Sequence, residues 1–222
     1  MPIFILNRHT RIFPPAELAR EDGLLAVGGN LEPETLLTAY EQGIFPWYNR
    51  GEPILWWSPD PRLVLYPQEL HVSRRLKRKL RQGRFRITVD QAFEEVMTAC
   101  ANVRLMKGQE TWITEEMLQA YVTLHEMGWC RSVETWQDGQ LVGGLYGVAL
   151  GKVFFGESMF SLVSDASKIA LKALCDRMVE RGMKLIDCQV TTAHLVRMGA
   201  KEIPRQEFLA LLRRYAVRKK LF

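Results

Sequence analysis

The sequence predicts an α+β protein in which a small N-terminal domain, residues 1–62, precedes a larger domain, residues 63–222, built on a mixed, largely antiparallel sheet. A chain of 222 residues that is 47% hydrophobic can bury a substantial core. The first 62 residues are rich in proline, glycine and tryptophan, whereas the remainder alternates between helix and strand patterns. Within that remainder, Asp138-Gly139 between two alternating runs is a strong hairpin signal.

The N-terminal domain is predicted to contain a helix followed by a rigid aromatic segment. Residues 31–40 have the helical pattern, with Asn30 as the N-cap and Pro33 in the first turn. The following segment, residues 44–62, is rich in proline and tryptophan, which predicts a non-helical structure. We expect its adjacent pair Trp56-Trp57 to belong to the core.

The larger domain is predicted to alternate helices with strands. In order, its patterns predict a strand at 63–66, a helix after Ser73, a strand at 85–89, a helix at 91–101, a helix after Thr114, strands at 131–136, 141–149 and 153–160, a helix after Ser164 or Asp165 that ends near Glu180, a strand at 184–189 and short C-terminal helices. An antiparallel meander followed by a helix and a further strand resembles the acyltransferase fold that binds acetyl-coenzyme A. In that fold a glycine-rich loop after the third strand cradles the pyrophosphate. The corresponding residues here, 158–164, contain no glycine, so we do not expect the coenzyme.

The positive charge of the chain is concentrated in one segment. Between residues 74 and 86 lie eight basic residues and no acid: Arg74, Arg75, Lys77, Arg78, Lys79, Arg81, Arg84 and Arg86. Removing them from the 30 basic residues leaves 22 against 25 acidic ones, so the rest of the chain has a net charge of −3. A solvated helix face is the plain explanation for a charge run. Here no acid in the segment relieves the repulsion, which favours a polyphosphate partner.

Three polar side chains fall in strands that are predicted to be buried. Strand alternation places Asp187 and Gln189 on one face of the strand at 184–189, and Glu157 lies among aromatic residues in the strand at 153–160. Buried polar groups are costly unless they are hydrogen-bonded. One explanation is a structural network, including an arginine partner for Glu157. The other is an active site, in which an acid orients an amide beside an apolar pocket.

Two further tryptophans are expected in loops. Trp47 follows Pro46, and Trp112 lies in the segment 110–114. A tryptophan is most often a core residue, but exposed ones beside a basic segment favour stacking on unpaired bases.

The cysteines and histidines argue against several kinds of site. Cys100, Cys130, Cys175 and Cys188 form no Cys-x-x-Cys pair, and the four histidines form no pair with metal-ligand spacing. We therefore expect reduced thiols, a cytoplasmic protein and no bound metal. No apolar run approaches the roughly 18 residues of a membrane-spanning helix, so no membrane partner is expected.

Five long motifs follow one another along the chain. They are Gly43-Ile44-Phe45-Pro46-Trp47, Trp56-Trp57-Ser58-Pro59-Asp60-Pro61-Arg62, Thr111-Trp112-Ile113-Thr114, Gly156-Glu157-Ser158-Met159-Phe160-Ser161 and Leu185-Ile186-Asp187-Cys188-Gln189. In this order they resemble the motifs of the leucyl/phenylalanyl-tRNA–protein transferase family. The resemblance extends from Phe13 to about Phe208, and five such motifs in order are far more specific than any one of them.

The resemblance implies both a fold and an activity. The family pairs a small N-terminal domain with an acetyltransferase-like C-terminal domain. It transfers Leu or Phe from charged tRNA to the N-terminal Arg or Lys of a protein and so marks it for N-end-rule degradation, and we expect Met to be a poorer substrate. The implied partners are leucyl-tRNA, phenylalanyl-tRNA and proteins with such N-termini. We expect a monomer that needs no cofactor.

By the same resemblance, several positions acquire expected roles. Trp47 and Trp112 would form walls for the terminal adenosine. The amino-acid pocket would be lined by Leu145, Phe154, Met159, Leu174 and Ile186. The reacting amines would be handled by Glu157, Asp187 and Gln189. The acceptor stem would be held by Arg74, Arg75, Lys77, Arg78, Arg81 and Arg84.

The implied chemistry suits these side chains. An aminoacyl ester is already activated, so the enzyme must mainly position the amine and the ester, which can be worth roughly 7–11 kcal/mol. Asp187 could bond to Gln189 and make its amide oxygen a better acceptor for the amine N–H, or it could act directly as a base with a raised pKa.

Two rival functions remain. An acetyl-coenzyme A-dependent N-acetyltransferase is disfavoured by the glycine-free loop, and a non-catalytic RNA-binding module leaves the buried polar side chains unexplained.

Overall fold

The chain is organised around two β-sheets. In the computed structural model, which describes residues 3–9, 11–108 and 110–222, the first sheet has four strands and the second has seven. Helices cover the second sheet, so the protein has the mixed α+β architecture that the sequence predicts.

The first sheet is missing from the sequence prediction. It contains β1 (Phe4–Leu6), β2 (Leu24–Gly28), β3 (Phe45–Pro46) and β4 (Leu55–Trp57), in the spatial order β1-β2-β4-β3. Strands of two to five residues are too short to produce a clear alternation of apolar and polar side chains. Trp56 is fully buried, as expected, whereas Trp57 is only partly buried.

The helix in this part, α1 (Pro33–Glu41), begins two residues later than predicted. Asn30 is not its N-cap, because Glu32 occupies that position. Asn30 Oδ1 instead accepts hydrogen bonds from the backbone N–H of Glu32 at 2.9 Å and from the hydroxyl of Thr35 at 2.7 Å. Asn30 therefore organises the turn before the helix, and Pro33 occupies a helical position at which a missing N–H costs nothing.

The second sheet is mixed and largely antiparallel, as predicted. Its strands are β5 (Arg62–Leu65), β6 (Arg86–Val89), β7 (Cys130–Gln137), β8 (Gln140–Leu150), β9 (Val153–Ser161), β10 (Leu185–Gln189) and β11 (Lys201–Ile203). Their spatial order is β11-β5-β10-β9-β8-β7-β6. Within the described ranges, β9 and β10 are the one parallel pair of this second sheet. The predicted hairpin joins β7 to β8, with φ values of 51° at Asp138 and 78° at Gly139, the signs that a type I′ turn requires.

Six helices accompany the second sheet. They are α2 (Arg74–Arg81), α3 (Phe93–Leu105), α4 (Glu115–Glu126), α5 (Ala166–Glu180), α6 (Ala193–Arg197) and α7 (Arg205–Tyr215). The predicted caps Ser73 and Thr114 are confirmed, since each hydroxyl accepts a backbone N–H three residues on at 3.2 Å. Asp165, one of the two residues predicted to cap α5, is its N-cap residue, but its side chain makes no capping hydrogen bond and binds Lys79 and Lys168 instead. Within the described residues, no helix is both long and apolar enough to span a membrane.

Two hydrophobic clusters cover opposite faces of the second sheet. On the α5 face, α5 and α2 pack over side chains that include Leu145 and Phe154. On the α3 face, α3, α4 and the N-terminal part pack over side chains that include Tyr146 and Phe155. These are consecutive residues of β8 and β9, and they point to opposite sides because side chains alternate along a strand.

The chain passes from the first sheet to the second between Trp57 and Arg62. The two parts share one hydrophobic cluster, in which Tyr40 of α1 packs on Phe155 of β9 with ring centroids 5.1 Å apart. A domain boundary after residue 62 therefore stays a prediction.

Candidate active site

The candidate site opens where two parallel strands separate. The pairing of β9 with β10 runs from Val153 and Leu185 to Phe155 and Asp187. Just beyond, the pairing of β10 with β5 becomes irregular, and Gln189 has a φ of 62°, in the left-handed region. This backbone conformation ends the strand and turns the side chain of Gln189 toward β9.

A cavity of about 700 Å³ occupies this gap and reaches both faces of the sheet. Its wall on the α5 face contains the five residues predicted for the amino-acid pocket: Leu145, Phe154, Met159, Leu174 and Ile186. Its wall on the α3 face contains Trp47 and Trp112. The structure thus brings these seven residues to one cavity, and what each of them binds stays a prediction.

Glu157 of β9 lies at the centre of the site among three hydrogen-bond donors. Its Oε1 accepts from the Tyr40 hydroxyl at 2.7 Å and from Gln189 Nε2 at 3.0 Å, and its Oε2 accepts from the Tyr121 hydroxyl at 3.2 Å. The two tyrosine hydroxyls also contact each other. Burial raises the pKa of Glu157 to about 7, against the opposing effect of these hydrogen bonds. An arginine partner for Glu157 is therefore a wrong expectation.

The amide of Gln189 is oriented by Glu157 and not by Asp187. Simple alternation predicts that Asp187 and Gln189 share a face, but the left-handed backbone at Gln189 directs its side chain into the cavity beside Ile186 and Cys188. Asp187 Oδ1 accepts the backbone N–H of Gln189 instead, at 2.9 Å. Gln189 Nε2 is committed to Glu157, and Oε1 has no partner in the described part of the chain. The amide oxygen is therefore the acceptor that this side chain offers to the cavity.

Asp187 lies behind the cavity, fully buried against Arg62. The pair is bidentate, with Arg62 Nε 2.8 Å from Oδ1 and Arg62 Nη2 2.7 Å from Oδ2. Arg62 also donates to the carbonyl of Gly43 at 3.2 Å. Its guanidinium lies 4.8 Å from the ring centroid of Phe45 and 4.5 Å from that of Phe208. This buried pair holds the end of β10 in place.

The two tryptophans meet at the mouth of the cavity. The ring centroids of Trp47 and Trp112 are 6.2 Å apart and their planes are nearly perpendicular, at 85°. Trp57 supports the first of them, because its Nε1 donates to the carbonyl of Trp47 at 2.7 Å. Trp47 remains 39% exposed. The two rings thus form adjacent walls at the mouth of the cavity, and their contact with a base stays a prediction.

The basic segment forms α2 as far as Arg81, with Arg84 and Arg86 beyond the helix, and none of the segment lines the cavity. Arg75 and Lys79 contact Asp165 at 3.6 and 2.8 Å, so an acid that is distant in sequence neutralises part of the charge. The other predicted tRNA-binding residues are exposed and form no ion pair within the described ranges: Arg74, Lys77, Arg78, Arg81 and Arg84.

Three residues with basic side chains line the cavity and are not assigned to it in the sequence analysis: Arg104, Lys107 and His194. The guanidinium of Arg104 lies over the ring of Trp112, 4.3 Å from its centroid. His194 Nε2 is buried and has no hydrogen-bond partner among the described residues, and burial lowers its pKa. A lone cation or histidine in a helical pattern is too common to be singled out without the fold.

The fold and the cavity define a mixed α+β protein whose deep apolar site crosses a sheet beside a buried carboxylate–amide pair. Comparison with known proteins is more specific. The family model described as leucyl/phenylalanyl-tRNA protein transferase matches residues 64–213, and the model of the corresponding N-terminal domain matches residues 29–60. The chain belongs to this family, and it is therefore an enzyme of the aminoacyltransferase class.

Curated relatives match almost the whole chain. The leucyl/phenylalanyl-tRNA–protein transferase of Syntrophobacter fumaroxidans is 58% identical over 212 residues, which cover 96% of this chain and 90% of the relative. The enzyme of the same name from Nitrosomonas eutropha is 60% identical over 202 residues, 90% of this chain and 86% of the relative. Among solved structures, a GCN5-related N-acetyltransferase from Kribbella flavida overlaps 77% of this chain and 60% of its own, with 16% identity and a TM-score of 0.36.

Proposed function

We propose that the protein transfers Leu or Phe, and Met less well, from aminoacyl-tRNA to the N-terminal Arg or Lys of acceptor proteins. The transfer forms a peptide bond and marks the acceptor for N-end-rule degradation. Membership of the family supports the reaction class. The apolar wall of the cavity supports the choice of an uncharged, apolar aminoacyl group.

One observation carries the proposal: the cavity crosses the sheet at the gap between β9 and β10. An aminoacyl-adenosine in this cavity has its apolar side chain on the α5 face, its ester in the gap and its base near Trp47 on the α3 face. Glu157 and Gln189 lie at the gap. The carboxylate–amide pair is therefore beside the ester, at the point where an acceptor amine must approach.

The proposed reaction needs no external cofactor to account for the bonds formed and broken or for the proton transferred. The lone pair of the acceptor α-amine attacks the ester carbonyl carbon, so that the new C–N bond forms and the C–O bond to the ribose breaks. The nitrogen loses one proton, and the departing ribose oxygen gains one. Because the ester is already activated, the enzyme contributes mainly by positioning the two groups, a contribution of roughly 7–11 kcal/mol.

Gln189 is the residue that we assign to the attacking amine. Its Nε2 is held by Glu157 at 3.0 Å, so its Oε1 can accept an N–H of the amine and direct the nitrogen lone pair at the ester. The structure supports neither of the two roles considered for Asp187, because Arg62 occupies both carboxylate oxygens and Asp187 accepts the backbone N–H of Gln189 and not its side-chain amide. Asp187 is then a positioning residue that holds the backbone of Gln189.

Transfer assays with a panel of charged tRNAs test the proposal. The protein is incubated with a peptide that begins with Arg and with tRNA carrying labelled Leu, Phe, Met, Val, Ile or Arg. We expect rapid transfer of Leu and Phe, slower transfer of Met, and poor transfer of Val and Ile because branching at Cβ crowds the mouth of the pocket. A hydrophobic pocket discriminates by only about 1–3 kcal/mol per methylene. Efficient transfer of Arg would contradict the pocket assignment, and no transfer from any tRNA would contradict the reaction.

The rival functions give different results with the same peptide. An N-acetyltransferase would modify it from acetyl-coenzyme A and ignore charged tRNA, whereas an RNA-binding module would bind tRNA and form no product. We also propose that the protein acts as a monomer in the cytoplasm. Sedimentation of the purified protein tests the first of these properties, and fractionation of cells tests the second.

A further inference from the structure

A second cationic site adjoins the cavity, apart from the basic helix α2. Arg104 is the penultimate residue of α3, and its guanidinium carbon lies over the ring of Trp112, 4.3 Å from the centroid. Its Nε donates to the carbonyl of Glu110 at 3.1 Å. These two contacts restrain the position of the guanidinium, while its remaining N–H donors have no partner among the described residues. The arginine is thus pre-organised to receive an anion.

Lys107 adds a second positive charge to the same wall of the cavity. Its backbone N–H donates to the carbonyl of Arg104 at 3.0 Å, in the turn that follows α3, so the two residues are held close together. Neither side chain forms an ion pair within the described part of the chain. Two uncompensated cations beside an aromatic ring are suited to a phosphate attached to a stacked nucleoside.

The position of the pair separates it from the basic helix. α3 covers the α3 face of the second sheet, whereas α2 packs with α5 on the other face. In the proposed pose the apolar side chain is on the α5 face and the adenosine is on the α3 face. The first phosphate of the nucleic acid therefore emerges on the side of Arg104 and Lys107.

We propose that Arg104 and Lys107 bind the phosphodiester that joins the 3′-terminal adenosine of the charged tRNA to the preceding nucleotide. This assignment rests on the proposed function, since it takes the adenosine to lie near Trp47 and Trp112. It divides tRNA binding into two parts. The α3 wall holds the last phosphodiester, and α2 holds phosphates farther from the ester.

Substrates of increasing length test the assignment. Transfer of Phe to an Arg-initiated peptide is measured from phenylalanyl-adenosine, which has no phosphate, from a phenylalanyl cytidylyl-adenosine dinucleotide, which has one phosphodiester, and from phenylalanyl-tRNA. We expect Arg104→Ala and Lys107→Ala each to raise KM about tenfold for the dinucleotide and the tRNA, as the loss of a charge-assisted hydrogen bond implies. For phenylalanyl-adenosine, the KM of Lys107→Ala should stay unchanged. Arg104→Ala also removes a contact to Trp112, so its KM should rise more for the dinucleotide than for phenylalanyl-adenosine.

The controls separate a phosphate contact from other causes. Arg213→Ala removes an exposed positive charge from α7 and should leave all three KM values at the wild-type level. Arg104 contacts the ring of Trp112, so Arg104→Ala could also move that ring. Lys107→Ala tests the phosphate contact separately, because Lys107 has no such contact among the described residues. An equal loss with phenylalanyl-adenosine in both variants, or no loss with any substrate, would overturn the assignment. Failure of the wild-type protein to use any charged substrate would instead overturn the proposed function.

Discussion

At the residue scale, the geometry of the site depends on an ion pair that the substrate does not reach. Arg62 and Asp187 are both fully buried and joined by two hydrogen bonds, so each charge is tolerated because of the other. The backbone N–H of Gln189 is bound to the same carboxylate. The ion pair therefore holds the backbone of Gln189 in place, and with it the side-chain amide that lines the cavity.

Removing either partner should leave an uncompensated buried charge. We expect Arg62→Ala and Asp187→Ala each to lower the free energy of unfolding by about 3–5 kcal/mol. The double variant should lose clearly less than the sum of the two, because it buries no unpaired charge. Urea unfolding of the wild type, the two single variants and the double variant completes the cycle. Additive losses would mean that the two side chains are not coupled.

Glu157 should make stability depend on pH. Between pH 4.5 and about 7 the folded protein keeps a proton on this buried group that the unfolded chain has already released. The free energy of unfolding contributed by Glu157 therefore falls as the pH rises through this window, by about 3 kcal/mol at most. Glu157→Gln cannot titrate, so its stability should change less across the window than that of the wild type.

Urea midpoints measured below and above the window give this comparison. Glu126→Gln, at an exposed position at the end of α4, is the matched control and should keep the wild-type dependence. The same change of midpoint with pH in Glu157→Gln and in the wild type would show that Glu157 is already ionised in the folded protein.

At the scale of single elements, α2 should set the affinity for tRNA without reading its sequence. Arg78 and Arg81 are exposed point charges with no base-reading geometry, so their contacts should be to phosphates. We expect the double variant Arg78→Ala, Arg81→Ala to weaken the binding of every charged tRNA alike. The slope of log K against log salt should become shallower by roughly 2, about one unit for each lost phosphate contact.

Titrations of charged tRNA at several salt concentrations measure this slope. Arg213→Ala with Arg214→Ala removes two exposed charges from α7 and is the control for net charge. An unchanged slope in the α2 variant would place the polyphosphate site elsewhere.

The elements that sequence reasoning predicts best have local causes. Thr114 caps α4 and Asp138-Gly139 closes the β7–β8 hairpin, because a hydroxyl and a turn dipeptide act on the residues next to them. The elements it misses depend on distant residues. The strands of the first sheet are too short to have a pattern. The side chain of Asp165 binds Lys79 of α2 and Lys168 of α5 instead of capping the first turn of α5.

Two irregularities decide the site, the left-handed backbone at Gln189 and a register shift between β8 and β9, and alternation alone predicts neither. The register of β8 with β9 shifts between Tyr146 and Gly147, and it does so opposite Glu157. Glu157 therefore bonds to tyrosines on the α3 face, while Met159 packs on the α5 face. A Cβ atom at Gly147 would lie 2.1 Å from the carbonyl oxygen of Phe155, so this close approach of the strands requires glycine.

At the scale of the whole molecule, the site needs both parts of the chain. Tyr40 and Trp47 come from the N-terminal part, and Glu157 and Gln189 come from the second sheet. The sequence motifs contain Trp47, Glu157 and Gln189, which the resemblance predicts to share one site, but they do not contain Tyr40. The cavity residues Arg104 and Lys107 could not be predicted, because only the fold brings the end of α3 to Trp112.

The whole-molecule arrangement leads to the central claim that Gln189, held by Glu157 at the strand gap, aligns the acceptor amine with the ester. Single-turnover transfer of labelled Leu from tRNA to an Arg-initiated peptide tests this claim most directly. The Kd for charged tRNA is measured separately, and circular dichroism verifies the fold of each variant. Thr191→Ala, which changes an exposed neighbour bonded to Glu202, is the control.

The account predicts that Gln189→Ala lowers the single-turnover rate on the order of 100-fold, within the range of a group that handles a proton in the transition state. The Kd for charged tRNA should change little, and Thr191→Ala should transfer at the wild-type rate. A folded Gln189→Ala variant that binds charged tRNA and transfers Leu at nearly the wild-type rate would contradict the account.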